Sequence, residues 1–275
     1  MRPVVPDNIE PVAKVVPTSE LPDVPLDDVM TVLVLGRDEG GRTDSVMLVR
    51  FDRRNEHVTI VSLPRSLWVT YPNGEAGRLG EAYLVSGDQG GVFAKATVSK
   101  LLDTPVDYFT VLDFVTFEEV VDLVGGVTID VPTVIDDPRY PTSNNGITHL
   151  HFDAGPQHMD GKRALMYVRT RHADDEFQRN LRQQQVIKAL FERLQQQPLP
   201  QQLVRVNDYI DMLKGNVQTD MPQDVMLDVG KAALVLQSDD IQFYTVDTTM
   251  LVGLEPPATF ELKPDALDAL MQQFP

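Results

Sequence analysis

The chain has 275 residues, 42% of them apolar and 7% aromatic, an ordinary globular composition with ample material for a continuous core. Its 41 acidic residues against 24 lysines and arginines give a formal charge of −17, which argues against a general nucleic-acid binder, because affinity for a phosphate backbone needs a basic surface. Cysteine is absent, so disulfides, thiolate metal sites and a cysteine nucleophile are excluded, and no stretch approaches the ~18 consecutive apolar residues that span a bilayer.

Residues 1–28 hold six of the 20 prolines, and proline fixes φ and removes a donor, so this segment is expected to be an extended leader. Thr31–Leu35 is a β-branched run ending at Gly36 and predicts a buried central strand. Ser45–Phe51 and His57–Leu63 follow as strands around a polar turn. Gly90–Asp103 has helical apolar spacing, and Val106–Leu112 is again strand-like. Thr116-Phe117-Glu118-Glu119 has the pattern of a capping box, predicting a helix that opens there and stops at Gly125-Gly126. Val127–Val131 predicts a further strand, 176–195 a long helix, about 222–237 another, and Ile241–Val246 a last strand. Strands alternating with helices of this length predict an α/β fold, a three-layer α/β/α sandwich with a mixed central β-sheet. Nothing after residue 28 resembles a linker, so residues 29–275 are expected to form one domain.

The charge is unevenly distributed. Residues 103–160 contain eleven acidic residues and one base, Arg139, whereas residues 162–193 contain eight bases against four acids. An acidic chain that gathers arginine in one segment suggests an anion site there, with a solvated basic face as the plainer reading. Three other patterns are weaker. Gly155 to Lys162 imitates a phosphate loop, but five residues separate Gly155 from Gly161 and Arg163 stands where Ser/Thr would ligate Mg²⁺. His149-Leu150-His151 puts two imidazoles on one face without a third ligand at convincing spacing, so a hydrogen-bonding role is expected. No G-x-S-x-G elbow occurs to support a serine hydrolase.

Three segments carry chemistry. Gly36 to Ser45 lies at the carboxyl end of the first strand, where open α/β sheets bind ligands. There Asp38 and Asp44 offer hard oxygen ligands and Arg42 sits between them, which suits a divalent cation together with a diphosphate; a polar turn with a local ion pair is the alternative. In Tyr167-Val168-Arg169-Thr170-Arg171-His172, read as extended, Arg169 and Arg171 share one face as a two-guanidinium fork. On the 176–195 helix, Arg179 and Gln183 fall on the stripe of Val186, Ile187, Leu190 and Leu194, whereas Gln184, Lys188 and Glu192 are expected to face water. A core-facing arginine needs a partner, either a core carboxylate or a ligand phosphate.

The chain resembles the LytR-CpsA-Psr family of bacterial cell-wall phosphotransferases over about residues 29–236. The matching stretches are LVLGRDEGGRTDSVMLV, VTIVSLPRS, VDYFTVLDFVTFEEVVDLVGGVTIDVP, GPQHMDGKRALMYVRTR and FQRNLRQQQVIKAL. The resemblance implies transfer of a phosphoglycan from a polyprenyl-pyrophosphate carrier to a peptidoglycan or other cell-wall hydroxyl. It implies a pyrophosphate site of Arg42, Arg65, Arg169, Arg171, Arg179 and Gln183, and Mg²⁺ (or Mn²⁺) at Asp38 and Asp44. Asp38, Asp44, Arg42 and Arg169 are the expected catalytic set. The lipid tail is expected in a tunnel between sheet and helices, lined from 90–103, 114–124 and 184–194 by Val92, Phe93, Leu101, Phe117, Val120, Val121, Ile187, Leu190 and Phe191. Such a protein works at the extracytoplasmic face of the bacterial membrane, touching the membrane surface through its lipid substrate, with no nucleic-acid partner and with its membrane anchor absent from this chain. Three positions depart from the family pattern. Ser66 replaces the Asp of a P-R-D turn, Arg78 to Tyr83 replaces K-[IL]-N-x-A-Y, and Glu176-Phe177-Gln178-Arg179 replaces D-F-G-R. A lipid-binding or regulatory protein without turnover, and a pyrophosphatase, are therefore alternative readings.

Overall fold

A computed structural model describes residues 29–38, 40–142, 146–170, 175–196, 216–254 and 259–272. The expected leader, residues 1–28, and Arg171 lie outside these. Six strands form a central sheet: β1 (Val29–Arg37), β2 (Thr43–Asp52), β3 (His57–Leu63), β6 (Tyr108–Asp113), β11 (Gln218–Thr219) and β12 (Ile241–Thr245). Their order is β11-β6-β1-β2-β3-β12, with β1/β6 and β3/β12 parallel and the remaining pairs antiparallel, so the sheet is mixed as expected. Short strands β4 (Trp68–Thr70) and β5 (Ala76–Arg78) pair with each other, and so do β13 (Leu251–Leu254) and β14 (Thr259–Leu262).

Residue parity in the strands divides the core. Leu33 and Leu35 of β1, Val46 and Leu48 of β2, Val61 and Leu63 of β3, and Phe109 and Val111 of β6 point to one face. There helix α2 (Gly90–Leu102) covers them with Ala94, Val98 and Leu102, after the short turn of helix α1 (Ala82–Val85). The alternate residues Val32, Val34, Met47 and Ile60 point to the opposite face. Four helices cover that side: α3 (Phe114–Leu123), α4 (Gly161–Arg169), α5 (Glu176–Gln195) and α6 (Gln223–Val235). A last helix, α7 (Pro264–Met271), places Leu270 in the α2 core. Outside the second helical layer, α3, α4 and α5 share a smaller core with two hairpin-like pairs, β7 (Val127–Val131) with β10 (Gly155–Met159), and β8 (Ile135–Pro141) with β9 (Ile147–Phe152).

Three local predictions are corrected. The first concerns α3, which opens three residues earlier than the capping box indicated. Its cap is Asp113, whose carboxylate accepts the amide of Thr116, a contact worth about 1 kcal/mol. The second concerns Tyr167 and Arg169, which belong to helix α4 and not to a strand, so the two-guanidinium fork does not form by strand alternation. Asp160 caps this helix, and Gly161, Ala164, Leu165 and Val168 are buried at helical spacing. Gly161 is required by contact: a Cβ there would lie 2.2 Å from the Glu118 carbonyl oxygen of α3. Helix α5 also differs from expectation, because Gln184 is buried. Its amide donates to Ser62 Oγ (2.8 Å) and the Tyr244 carbonyl (2.7 Å). A helix wedged between the central sheet and a second core has more than one inward face, and a single-stripe reading misses that.

Candidate functional site

The helical layer over the α3–α5 face does not fill it. A cavity of about 320 Å³ opens between β1, β2, β6 and helices α3, α4 and α5. Its apolar wall comes from Val34, Met47 and Leu112 of the sheet, Phe114, Phe117 and Val120 of α3, Leu165 and Val168 of α4, and Ile187 and Leu190 of α5. Its polar end gathers Asp38, Arg42, Asp44, Arg65, Asp113, Arg169, Arg179 and Gln183. Residues from five separate chain segments thus meet at one end of an otherwise apolar pocket.

Each polar group is placed by a local device. The loop after β1 closes on itself: Asp38 N–H donates to the Arg42 carbonyl (2.9 Å) and Asp38 Oδ1 accepts the Arg42 amide (2.8 Å). Gly41 makes the turn possible at φ +81°, a conformation that costs glycine little. Arg65 follows the Leu63-Pro64 turn and forms an ion pair with Asp44. The Gly80 amide donates to the Arg65 carbonyl (2.8 Å), and a Cβ at Gly80 would lie 2.8 Å from Arg65 Cβ. The glycine that departs from the family pattern is therefore packed against the backbone that aims Arg65. Arg179 is 3% exposed and lies 3.7 Å from Glu176 Oε1. Gln183 Oε1 is buried and accepts no hydrogen bond from the described residues.

Arg169 ends α4 with its guanidinium stacked on two rings, 4.0 Å from the centroid of Phe114 and 5.9 Å from that of Tyr140. It also donates to the Tyr140 hydroxyl; burial raises that phenol above its ordinary range, and Arg169 offsets part of the rise. Among the described residues no carboxylate forms an ion pair with Arg169. Sequence reasoning overlooked both aromatic supports. Phe114 stands next to a strand-terminal Asp, and Tyr140 follows Arg139 on a hairpin, so neither position marks its role. For Asp113, burial pushes the carboxyl up, but the Thr116 amide and hydroxyl and the nearby Arg37 outweigh it and hold the group below the usual carboxylate range.

The apolar wall only partly matches the expected tunnel. Phe117, Val120, Ile187 and Leu190 line the cavity. Val92, Phe93 and Leu101 do not, because α2 lies across the sheet from it: Val92 is exposed, and Phe93 and Leu101 pack against the opposite core. Val121 faces the smaller outer core, and Phe191 packs beside Met47, Ile60 and Phe243. Val34, Met47, Leu112, Leu165 and Val168 take the vacated places.

Asp38 and Asp44 both border the cavity, yet among the described residues no group of three metal-ligating side chains assembles. Two carboxylates beside four arginines do not form a cage of their own, and would suit Mg²⁺ only where a phosphate ligand and water supplied further oxygens. A second, polar depression of about 430 Å³ adjoins the first, shares Arg42 and Arg65 with it, and is bordered also by Ser66, Arg78, Glu81 and Glu176. Among the described residues no helix is long and apolar enough to cross a membrane.

Comparison with known proteins agrees with this geometry. The LytR_cpsA_psr family matches residues 9–273. A Bacillus cereus protein named polyisoprenyl-teichoic acid–peptidoglycan teichoic acid transferase TagU is 30% identical over 222 residues, covering 78% of this chain and 68% of its own. The crystal structure of TagV from B. subtilis superposes with a TM-score of 0.71 at 24% identity, over 90% of this chain and 97% of that one. A structure of TagT bound to LIIa-WTA superposes at 0.69 with 23% identity, over 90% and 89% of the two chains.

Proposed function

The chain belongs to the LytR-CpsA-Psr family of glycopolymer transferases, and from that premise we propose that it moves a phosphoglycan from a polyprenyl-pyrophosphate carrier to a hydroxyl of peptidoglycan or another cell-wall polymer. The observation that carries this reading is one cavity with two chemistries: an apolar wall for a lipid tail, ending in four arginines and three carboxylates. An isolated diphosphate is too well hydrated for an apolar pocket, and a bare hydrocarbon gains nothing from guanidinium groups. A lipid diphosphate satisfies both ends at once.

Arg42, Arg65, Arg169 and Arg179 hold the diphosphate in this reading, with Gln183 donating a further hydrogen bond and Arg171 joining from the segment after α4. Guanidinium groups match phosphate oxygens in bidentate geometry, and they stabilise charge that develops on the departing polyprenyl phosphate. Asp38 and Asp44 would hold Mg²⁺ (or Mn²⁺), which would neutralise phosphate charge. One of these two carboxylates takes the proton of the incoming hydroxyl. The polar depression beyond Arg42 and Arg65 lies on the far side of the diphosphate from the tail and leaves space for glycan and acceptor. Phosphoryl transfer asks mainly for positioning and electrostatics, which this arrangement supplies. Such a protein acts at the extracytoplasmic face of the membrane, where its lipid substrate resides.

Native mass spectrometry of the purified protein tests the reading, with a co-purified polyprenyl phosphate or diphosphate as the expected adduct. A parallel assay follows labelled glycan onto peptidoglycan and release of inorganic phosphate. Phosphoglycan freed to water, or inorganic phosphate freed from a glycan-free carrier, without polymer transfer would instead make the protein a pyrophosphatase.

A further inference from the structure

Arg65 and Arg179 reach the cavity from different elements, the turn after β3 and the first turn of α5. Two guanidinium groups brought to one spot repel each other, and more strongly where water is partly excluded. Glu176 lies between them. Its Oε2 accepts from Ser66 Oγ at 2.6 Å, while its Oε1 lies 3.9 Å from Arg65 Nε and 3.7 Å from Arg179 Nη2. Both separations are ion-pair distances longer than a hydrogen bond, and Oε1 is buried without a hydrogen-bond partner among the described residues. The carboxylate therefore acts on both arginines through its field, and the serine hydroxyl fixes where that field is centred.

We propose that Glu176 is a resident counter-ion and positioning residue. It holds Arg65 and Arg179 together in the ligand-free protein, and it opposes the incoming diphosphate, so that it sets how tightly the lipid headgroup is held. The inference rests on the diphosphate reading of the cavity. By linkage, a group that stabilises the empty site more than the filled one lowers ligand affinity by that difference. Two of the three departures from the family pattern, Ser66 and Glu176, belong together in this account. With serine at 66, Glu176 is the carboxylate that stands beside both arginines, Arg65 being paired also with Asp44, and glutamate is long enough to reach the hydroxyl that anchors it. An aspartate at 66 would set a second negative group against the first. The advantage of a counter-ion is release: a product that still carries phosphate leaves more readily when a protein carboxylate takes its place.

A charge series tests this in the intact chain with geranylgeranyl diphosphate as probe, combining calorimetric titration with thermal melting of the ligand-free protein. Glu176→Gln keeps the size and the contact with Ser66 but removes the charge. It is expected to lower the melting temperature without ligand and to tighten the dissociation constant about fivefold or more, as one unit charge near the headgroup implies. Ser66→Asp adds a charge at the same place and is expected to weaken binding, giving the affinity order Glu176→Gln, wild type, Ser66→Asp. Added salt compresses the series. A mere structural brace predicts that both variants weaken binding, and that result, or an unchanged affinity in Glu176→Gln, overturns the proposal while wild-type binding leaves the functional reading intact. Failure of the wild-type protein itself to bind the probe overturns that reading, and the counter-ion role with it.

Discussion

The two faces of the central sheet are built from alternate residues of the same strands, yet one is solid and the other holds the cavity. On the α2 face the strands present Leu33, Leu35, Phe109 and Val111, and the helix approaches closely enough that a Cβ on Gly91 would lie 2.1 Å from the Phe109 ring. On the other face β1 presents Val34 and then Gly36, whose neighbour Ser45 on β2 is also small. There α3, α4 and α5 spend much of their apolar surface on the outer core with β7 to β10, so they bridge over the sheet and do not sink into it. A pocket therefore arises where helices have two cores to serve, and its polar end forms where strand ends and helix caps meet.

The first way to break this comparison is to damage the solid face. Leu33→Ala is expected to cost about 2–5 kcal/mol of stability, since a fully buried leucine leaves a cavity that close packing cannot refill. Chemical denaturation measures the loss, while affinity for a diphosphate lipid in the surviving folded fraction stays within about twofold. Equal damage to binding would show that the faces are coupled.

Next comes the polar end of the cavity. Arg169→Ala is expected to weaken diphosphate-lipid binding by roughly 1.5–3 kcal/mol, about 10- to 150-fold, as loss of a charge-assisted bidentate contact. It also removes the stacking on Phe114 and Tyr140, so stability should fall by about 0.5–2 kcal/mol. Arg169→Lys separates the two effects, because a lysine keeps the charge but not the planar fork. Melting curves and lipid titrations on both variants sharpen the assignment, and retained affinity in Arg169→Ala would remove Arg169 from the site.

A third change fills the empty space. Val120→Trp projects an indole ring into the cavity from α3 and is expected to leave stability within about 1 kcal/mol while reducing affinity for a long-chain lipid diphosphate. Binding of inorganic pyrophosphate should be nearly unaffected. Loss of both ligands together would mean that the apolar wall does not hold the tail. Magnesium offers a related check: calorimetry is expected to show weak uptake by the protein alone and stronger uptake with diphosphate present, since two carboxylates make an incomplete shell.

The smallest effect lies with the exposed histidines of the hairpin of β8 and β9. Asp136 accepts from His149, and its carboxyl is held below the ordinary range first by His149 and then by His151. His151 is raised above its ordinary 6.5, first by Asp136 and then by Asp153. A raised histidine contributes stability that is fully present below pH 6.5 and fades as pH rises through its folded value; a lowered aspartate contributes above pH 3.8 and fades as pH falls below it. A shallow stability maximum between these limits is therefore expected. His151→Ala should flatten its alkaline side, seen as melting temperature against pH, and the groups are so exposed that the change will be slight.

Much of the site was visible in local patterns. Asp38, Arg42 and Asp44 stand at a strand end next to a glycine pair, and such ends are where α/β sheets bind ligands. Arg179 and Gln183 were found because an arginine on an apolar helical stripe cannot avoid the protein interior. The error at Tyr167 and Arg169 has a definite cause: period-two arginines suggested a strand, although Asp160 before Gly161, and Ala164, Leu165 and Val168 after it, already spelled a capped helix. The α2 part of the expected tunnel fails for a different reason. Apolar spacing on α2 shows that the helix is amphipathic, but not which face of the sheet it covers, and Phe93 and Leu101 went to the opposite core.

The sequence by itself determined the α/β alternation, the mixed sheet with helices on both sides, the strand-end acidic loop and the arginine-rich segment, because each is written in contiguous residues through period, cap and charge. Tertiary structure alone decided which helices roof the cavity, that Phe114 and Tyr140 seat Arg169, and that Glu176 pairs with Ser66 across 110 positions of chain. Those contacts depend on how layers stack and how far α3, α4 and α5 stand off the sheet. That distance is set by the competition of two hydrophobic cores for the same helices, a balance of packing over the whole molecule that no local pattern records.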